Sequence, residues 1–540
     1  MSGTSVTAAA ASKIIIAVDF EGKIIRRWPD SVETTEWVPS TIEYDDEDPT
    51  SYKWGYQLQD DERKHEWFKL GLNPALQLSG LAQKYPSRTA WPMVQGAECE
   101  RLVTDYLKGL KGHAEQYVRD KWGPEIVPKN RKPQYIITVP AVWSEKAQAT
   151  TRKCAEGAGM GNKNNIQIIT EPEAAGIYAL KNMKLSLKVD DTFVLCDAGG
   201  GTVDLISYTV AELGKIPLIF EAAPGSGGLC GSTFLNRIFD DYLTQRFAGY
   251  RGWDSGYHQD AMHRFETKIK REFNGDLRKS FTVPARGLPA NPSLDIANGQ
   301  VEITGRRLQK IFEPVILEVL ALVNAQIKAT RPKVVTAVLL AGGFGRSEYL
   351  KKKIQEEVGD TRVISIEDGD TAIVRGALIR GLAERIPKLA TVRIGARKAR
   401  KHYGTLAYNI FDPEKHDENR KEDDEFSGGH RGSPVEESKP AKFGFYWDQR
   451  VASGRPSFIE MTLYACDDSE NEGAPLYADS RAIAEVKKLM ELKADVRSIP
   501  IAEFDQLPGE QGEMYYKLDF EIDMDLQLFY PAHTVQLEKT

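Results

Sequence analysis

Apolar and polar positions follow two rhythms along this chain. Residues 1–12 are small and polar and read as a loose tail. The first apolar run, Ile14 to Val18, has the length of a buried strand. It ends in Asp19-Phe20, and the chain passes at once through Glu21-Gly22-Lys23 into a new segment, Ile24-Ile25-Arg26-Arg27-Trp28-Pro29. From 13 to 60, short apolar runs alternate with acidic turns; Tyr44-Asp45-Asp46-Glu47-Asp48-Pro49 reads as a solvated one. Between 94 and 122 the residues Val94, Leu102, Val103, Tyr106, Leu107, Leu110 and Tyr117 recur near helical spacing and predict one long amphipathic helix. A strand is expected at Tyr135–Pro140, then a helix from about Glu145, capped by Ser144 and stopped by Gly157 and Gly159. From 166 to 384 the order is strand, helix, strand hairpin, helices, strand, helix, strand, helix, an α/β layout with mixed sheets. After about Arg385 strands dominate: Tyr403–Phe411, Phe443–Trp447, Phe458–Ala465 and Tyr515–Ile522. The charged stretch at about 412–441 reads as a loop without regular structure. Ala482–Ala494 is spaced as one short helix, and the charge alternation after 490 as an exposed strand face.

Composition narrows the classes. At 540 residues the chain has room for about three to five domain-sized units. A formal net charge of -7 argues against a nucleic-acid or anionic-membrane surface. The five cysteines are odd in number, widely spaced and without a CxxC pair, so neither a zinc site nor a disulfide framework is expected. The N-terminus lacks the basic start and apolar core of a secretory signal, and the apolar runs are too short to span a membrane. A cytoplasmic protein is expected.

The strongest chemistry lies in FVLCDAGGGTVDLISYTV. An apolar strand delivers Asp197, three glycines and Thr202 follow, and Asp204 heads a second apolar strand. Consecutive glycines permit positive φ and close approach of backbone to a ligand. Successive N–H groups in such a turn form a concavity for phosphate. Two carboxylates at strand ends suit a hydrated Mg²⁺. The bland alternative is a tight hairpin in which glycine serves geometry alone. Two further segments favour the site. In IQIITEPEAAGIYAL, Thr170 and Glu173 have the spacing of a capping box, and Glu171 falls where a strand becomes a helix. In VVTAVLLAGGFGRSEYLKKKI, strand Val334–Leu340 runs into Gly342-Gly343, which admit a flat ring or a phosphate, and Arg346 is placed to stack on an adenine. Cys230, in GGLCGSTF, reads as a small buried side chain rather than a nucleophile, since no histidine lies near it in sequence.

In order and spacing, these segments resemble the nucleotide-binding domain of the heat shock protein 70 family, a branch of the actin and hexokinase superfamily of ATPases. DAGGGTVD is similar to the family's second phosphate motif, VPAVWSEKAQATTRKCAEGAG and ITEPEAAGIYAL to its connecting motifs, and AGGFGRSEYL to its adenosine motif. GDTAIVRGALIRGL resembles the helix that follows the adenosine motif, and HRFETKIKREF the segment that clamps the adenosine from the other lobe. The likeness covers about residues 13–384. KWGYQ, EWFKLGLNP and TLYACDD resemble divergent members from filamentous fungi.

The resemblance implies a two-lobed actin-like ATPase, a duplicated ribonuclease H-like fold, followed by a small β-rich C-terminal domain. The expected boundaries are a tail at 1–12, lobe I at 13–180, lobe II at 181–384 and the β-rich domain at 385–540. It implies ATP or ADP with Mg²⁺, the hydrated metal held by Asp19 and Asp197. Glu171 and Asp204 would order water near the γ-phosphate, with Asp204 or Asp197 placing the attacking water. Lys69 would reach the γ-phosphate. Gly199, Gly200, Gly201 and Thr202 would hold phosphate, with Gly227 and Gly228 close by. Gly342, Gly343, Arg346, Lys270, Arg271 and Asp370 would frame the adenosine. Unfolded client proteins are the implied partners.

Two departures qualify this. The family's first phosphate motif reads roughly DFGTT and opens a hairpin. Here Asp19-Phe20 stand without the Gly-Thr-Thr or a returning strand, and Glu21 occupies the place of a phosphate donor. A pseudo-ATPase, a short splice form and an incomplete gene product all account for that gap. Residues 385–540 also show no helical lid, which puts client binding in question. The functional alternatives are therefore an ATP-binding chaperone-type protein with doubtful hydrolysis, a nucleotide-dead interaction scaffold, and, ranked last, a small-molecule kinase of the same superfamily.

Overall fold

The apolar runs become strands and buried helices in a computed structural model of the chain. It describes residues 15–18, 25–31, 34–35, 38–58, 62–73, 80–86, 94–123, 133–182, 187–385, 390, 392–398, 402–407, 425–429, 434–436, 441–466, 486–508 and 512–524. These fall into two compact units, one of Met1–Ile219 with Gly225–Arg393, the other of Phe220–Pro224 with Ile394–Thr540.

The first unit opens with β1 (Ile15–Val18) and a small antiparallel sheet of β2 (Thr41–Tyr44), β3 (Tyr52–Trp54) and β4 (His65–Glu66). The acidic turn after β2 is solvated and closed by Asp45, whose Oδ1 accepts the Glu47 and Asp48 N–H groups at 2.8 and 3.2 Å. Short α1 (Gly80–Lys84) precedes α2 (Gly96–Trp122), the expected long helix. It buries Leu102, Val103, Tyr106, Leu107 and Leu110 and stops at Gly123, whose φ of 96° a side chain would resist. Then come β5 (Gln134–Val139), α3 (Glu145–Gly157) with Ser144 accepting the Ala147 N–H, β6 (Ile166–Thr170) and α4 (Glu171–Asn182). All six residues of β5 are buried, as expected for a parallel strand covered on both faces. The capping box expected at Thr170 and Glu173 is not made. Thr170 is still paired with Val139 in the sheet, and its hydroxyl is buried with no hydrogen-bond partner among the described residues.

The second lobe begins with the hairpin β7 (Thr192–Ala198) and β8 (Val203–Glu212), then β9 (Leu218–Gly228) and α5 (Thr233–Arg246). Next are α6 (Ser255–Arg264), a π-helical turn at Phe265–Ile269, α7 (Lys270–Glu272), and a small sheet of β10 (Ser280–Pro284), β11 (Ile296–Ala297) and β12 (Gln300–Thr304). Helix α8 (Gly305–Ala329) is capped by Thr304. Strand β13 (Val335–Ala341), α9 (Glu348–Val358, capped by Ser347) and β14 (Arg362–Ser365) continue this lobe, and α10 (Ala372–Arg385) follows them in the chain.

The two central sheets are related but unequal. In the second lobe the order β14-β13-β7-β8-β9 places β7 between parallel β13 and antiparallel β8. In the first lobe the order is β1-β5-β6, all parallel, with β1 in the place of β7. Among the described residues no strand pairs with the other edge of β1. The described residues therefore hold no returning hairpin beside β1.

The second unit is built of strands: β15 (Arg393–Lys398), β16 (His402–Ala407), β17 (Glu425–Gly429), β18 (Pro434–Glu436), β19 (Ala441–Arg450), β20 (Phe458–Cys466), β21 (Val486–Asp495), β22 (Asp505–Pro508) and β23 (Met514–Met524). They pair in a four-stranded sheet, β17-β16-β20-β21, and a three-stranded one, β19-β23-β22, around Ile459, Val496, Phe504, Leu518 and Phe520.

Two expectations are corrected here. Ala482–Ala494 is not a helix: its described part is β21, paired with β20. Period-two alternation decides it, because Leu492 and Ala494 pack on the core while Glu491, Lys493 and Asp495 are exposed. The charge alternation after 490 is therefore the strand face expected. The stretch at 412–441 is not all loop, since β17 pairs with β16 and β18 with β15. Partner strands supply order that a polar composition does not reveal. The tail at 1–12 lies outside the described residues.

Helix α10 returns to pack on α4. At their crossing a Cβ on Gly376 would lie 1.7 Å from the Ala174 carbonyl oxygen, so the backbones touch with no side chain between them. Gly376→Ala should destabilise the first unit by about 3 kcal/mol, read as a lower urea midpoint.

Candidate functional site

The site forms where the tip of the β7–β8 hairpin faces the first lobe. Asp197 pairs with Asp204 in the ladder, and Gly199 donates to the Thr202 carbonyl at 3.0 Å to close the turn. The turn's carbonyls are committed elsewhere. Gly231, Ser232 and Thr233 donate their N–H groups to the carbonyls of Gly201, Gly199 and Gly200 at 3.1, 3.1 and 2.9 Å. Three oxygens that would repel an anion are thereby tied to the approach to α5.

The expectation of positive φ in the turn is corrected: none of Gly199, Gly200 and Gly201 is left-handed. Close approach is instead required of the glycines that pack against the turn. A Cβ on Gly231 would meet the Gly200 oxygen at 2.3 Å, and one on Gly342 the Ala198 oxygen at 2.3 Å and Asp197 Oδ1 at 2.6 Å. Gly342 also sits at φ 80°. A Cβ on Gly201 would meet nothing within 4 Å.

The cavity beside this turn, about 310 Å³, is lined by Lys69, Glu171, Asp197, Gly199, Gly200, Gly201 and Thr202, with Ser40, Thr41, Trp67, Phe68, Pro140, Thr233 and Ile373 among its other walls. That volume is at the small end of ligand pockets. Lys69 comes from the short 3-10 turn Phe68–Leu72 and is ion-paired to Glu171 at the start of α4. Its ammonium also stands 5.7 Å from the centre of the Trp143 ring. Both partners are largely buried, at 16% and 7% exposure, so the pair is held in a weakly screened setting.

The other sequence-selected residues lie around the cavity rather than in its wall. Asp204 is buried behind the hairpin, accepting the Ala141 N–H at 3.1 Å and so joining the two lobes. Gly227 and Gly228 belong to β9, where a Cβ on Gly227 would press on the Val203 oxygen and one on Gly228 on Leu322 of α8. Gly342 donates to the Gly369 carbonyl at 3.0 Å, and Gly343 leads into the turn carrying Arg346. Exposed Arg346 is bonded to Asp370 at 3.0 Å. Lys270 is ion-paired with Glu266 and bonded to Asn236 at 3.1 Å; burial pulls its ammonium below the usual lysine range despite Glu266. Arg271 is exposed. The Phe273 and Tyr349 rings, 4.8 Å apart, bring the 270–273 and 342–349 segments together. Asp19 lies outside the described residues.

Sequence reasoning missed Gly231, Thr233, Thr41 and Trp67. The Cys-Gly-Ser-Thr run ahead of a helix was the available signal for the first two; Thr41 and Trp67 had none. Cys230 is buried as expected, its thiol pushed up by burial.

The family model described as Hsp70 protein matches residues 93–384, more than half of the chain. The chain belongs to the Hsp70 family. It therefore sits in the actin-like ATPase superfamily, in keeping with its two related lobes. Chaperone protein DnaK of Deinococcus deserti is 27% identical over 256 residues, covering 45% of this chain and 38% of that protein. Human Heat shock 70 kDa protein 12A is 24% identical over 393 residues, covering 57% and 56%. Human Heat shock 70 kDa protein 12B is 22% identical over 447 residues, covering 67% and 63%. The chain thus spans about 40 to 60% of the length of the relatives it matches. Among the described residues of this Hsp70-family chain, no helix is long and apolar enough to cross a membrane.

The contacts around the hairpin separate two glycines. Gly231→Ala should lower stability by about 2 kcal/mol by driving a methyl into the Gly200 carbonyl. Gly201→Ala should leave stability within about 0.5 kcal/mol, its methyl standing in open space. Urea melts of the two variants check both.

Proposed function

We propose that this chain is an ATP-binding, chaperone-type member of its family whose hydrolytic capacity is reduced. One observation carries the reading: the Gly199–Thr202 turn, its carbonyls bound away, lines a cavity with Lys69 and Asp197. A cation, a carboxylate and a glycine turn open to close approach are the donor set that a magnesium-bound triphosphate needs.

In this reading Gly199, Gly200, Gly201 and Thr202 hold phosphate, and Lys69 meets the terminal phosphate while Glu171 keeps the ammonium in place. Asp197 and Asp19 would hold hydrated Mg²⁺, which when bound supplies neutralisation of phosphate charge. Glu171 and Asp204 would order water beside it. Gly342, Gly343, Arg346, Asp370, Lys270 and Arg271 would frame the adenosine, with Gly227 and Gly228 supporting the hairpin from behind. The two lobes would correspond to about 13–180 and 181–384 and the β-rich domain to 385–540. Client proteins would be the partners and the cytoplasm the location.

The reduced capacity follows from the first lobe. Phosphoryl transfer is mostly positioning and electrostatics, so losing one of two phosphate loops removes positioning on one side. The same observation supports a second reading, a nucleotide-dead interaction scaffold.

Calorimetric titration of the full chain with Mg-ATP separates the two. The ATP-binding reading expects a Kd on the order of micromolar, weakened about tenfold by Thr202→Ala, the scale of one hydrogen bond to a charged group. No heat of binding by the unaltered chain would leave the scaffold reading.

A further inference from the structure

Trp67, two residues before Lys69, is held in a conformation that bulky side chains avoid, with φ 62° and ψ 11°. Such a conformation persists only where its surroundings over-determine it. Here the surroundings come from the opposite lobe. The Trp67 ring meets Phe234 edge-on, with centroids 5.4 Å apart and planes at 87°. The Arg237 guanidinium carbon stands 4.2 Å from the Trp67 ring centre and 5.2 Å from that of Phe234. Arg237 is anchored in turn by donating to the Tyr85 carbonyl at 3.2 Å.

Phe234 and Arg237 are one turn apart on α5, the helix whose approach is hydrogen-bonded to the glycine hairpin. In the other direction, Leu70 donates to the Trp67 carbonyl at 2.9 Å, closing the turn that carries Lys69. One helix therefore fixes both sides of the cavity. It holds the hairpin through backbone bonds and the lysine turn through a cation stacked on an indole. Cation–π attraction strengthens when the cation is partly desolvated, and Arg237 is half-buried.

We propose that Arg237 is a positioning residue for the phosphate cavity: by holding Trp67 against Phe234, it sets where Lys69 stands relative to the glycine hairpin, without lining the cavity itself. The nucleotide part of this proposal rests on the ATP-binding reading above. The mechanical part does not.

The test uses the full chain with Arg237→Met, which keeps length and loses charge, and Arg237→Lys, which keeps charge and loses the planar fork. Without nucleotide, hydrogen exchange is followed by mass spectrometry at 68–72, at 199–202 and, as a core reference, at 134–139. Arg237→Met should speed exchange at 68–72 about tenfold, the reference strand staying unchanged and Arg237→Lys falling between. Unchanged exchange at 68–72, or equal acceleration at 134–139, would overturn the latch. With Mg-ATP, Arg237→Met should raise Kd about tenfold and Arg237→Lys should recover part of the loss. Equal affinity in all three proteins would overturn the link to the cavity. If the unaltered chain binds no Mg-ATP, that result counts against the functional reading, and the exchange measurement alone decides the latch.

Discussion

Three backbone hydrogen bonds hold the glycine turn at the cavity in place. The N–H groups of Gly231, Ser232 and Thr233 bind the three carbonyls of the Gly199–Gly201 turn. Without them the turn would be an ordinary hairpin tip with oxygens free to face any direction. With them its acceptors are spent, and α5 is fixed to the end of β7 and β8. Backbone bonds of this kind need the chains to meet closely, which is why glycines stand at 231 and 342, on both flanks of the tip. Asp204 adds a tether to Ala141 across the cleft, so the geometry of the hairpin is passed to the first lobe.

The two lobes share a plan, but their described strands differ in number. In the second lobe the strand that delivers Asp197 is flanked on both sides. In the first lobe β1 has β5 as its one neighbour among the described residues. The cavity draws on both lobes: the second gives Asp197 and the Gly199–Thr202 turn, and the first gives Glu66, Lys69 and Glu171 as its charged contribution. The ion pair between these two keeps a buried charge compensated, a condition that either group alone would not meet.

Much of this was legible in the sequence for specific physical reasons. Long elements with one dominant periodicity, such as α2 and the β7–β8 hairpin, declare themselves because a buried face imposes its spacing. Ser144 and Ser347 mark helix starts because their hydroxyls satisfy amides that nothing else reaches. The glycine turn was readable as a place, though none of its three glycines is left-handed and the close contacts fall on Gly231 and Gly342. What could not be read depends on partners far along the chain. Strands β17 and β18 exist through pairing, and β21 was obscured because its apolar residues also suit a helical spacing. The role of Trp67 is set by Phe234 and Arg237, more than 160 positions away.

The cysteines lend the cleft a chemical character of its own. Cys99, Cys154, Cys196 and Cys230 are all buried as free thiols. Burial pushes Cys99 up to about 12 and Cys154 up to about 11, and raises Cys196 and Cys230 as well. Cys196 immediately precedes Asp197, and Cys230 immediately precedes Gly231, so two of these sulfurs flank the hairpin anchor. Oxidants and electrophiles attack the thiolate, which such groups scarcely populate at neutral pH. The anchor is thus insulated from redox chemistry by the same apolar packing that positions it.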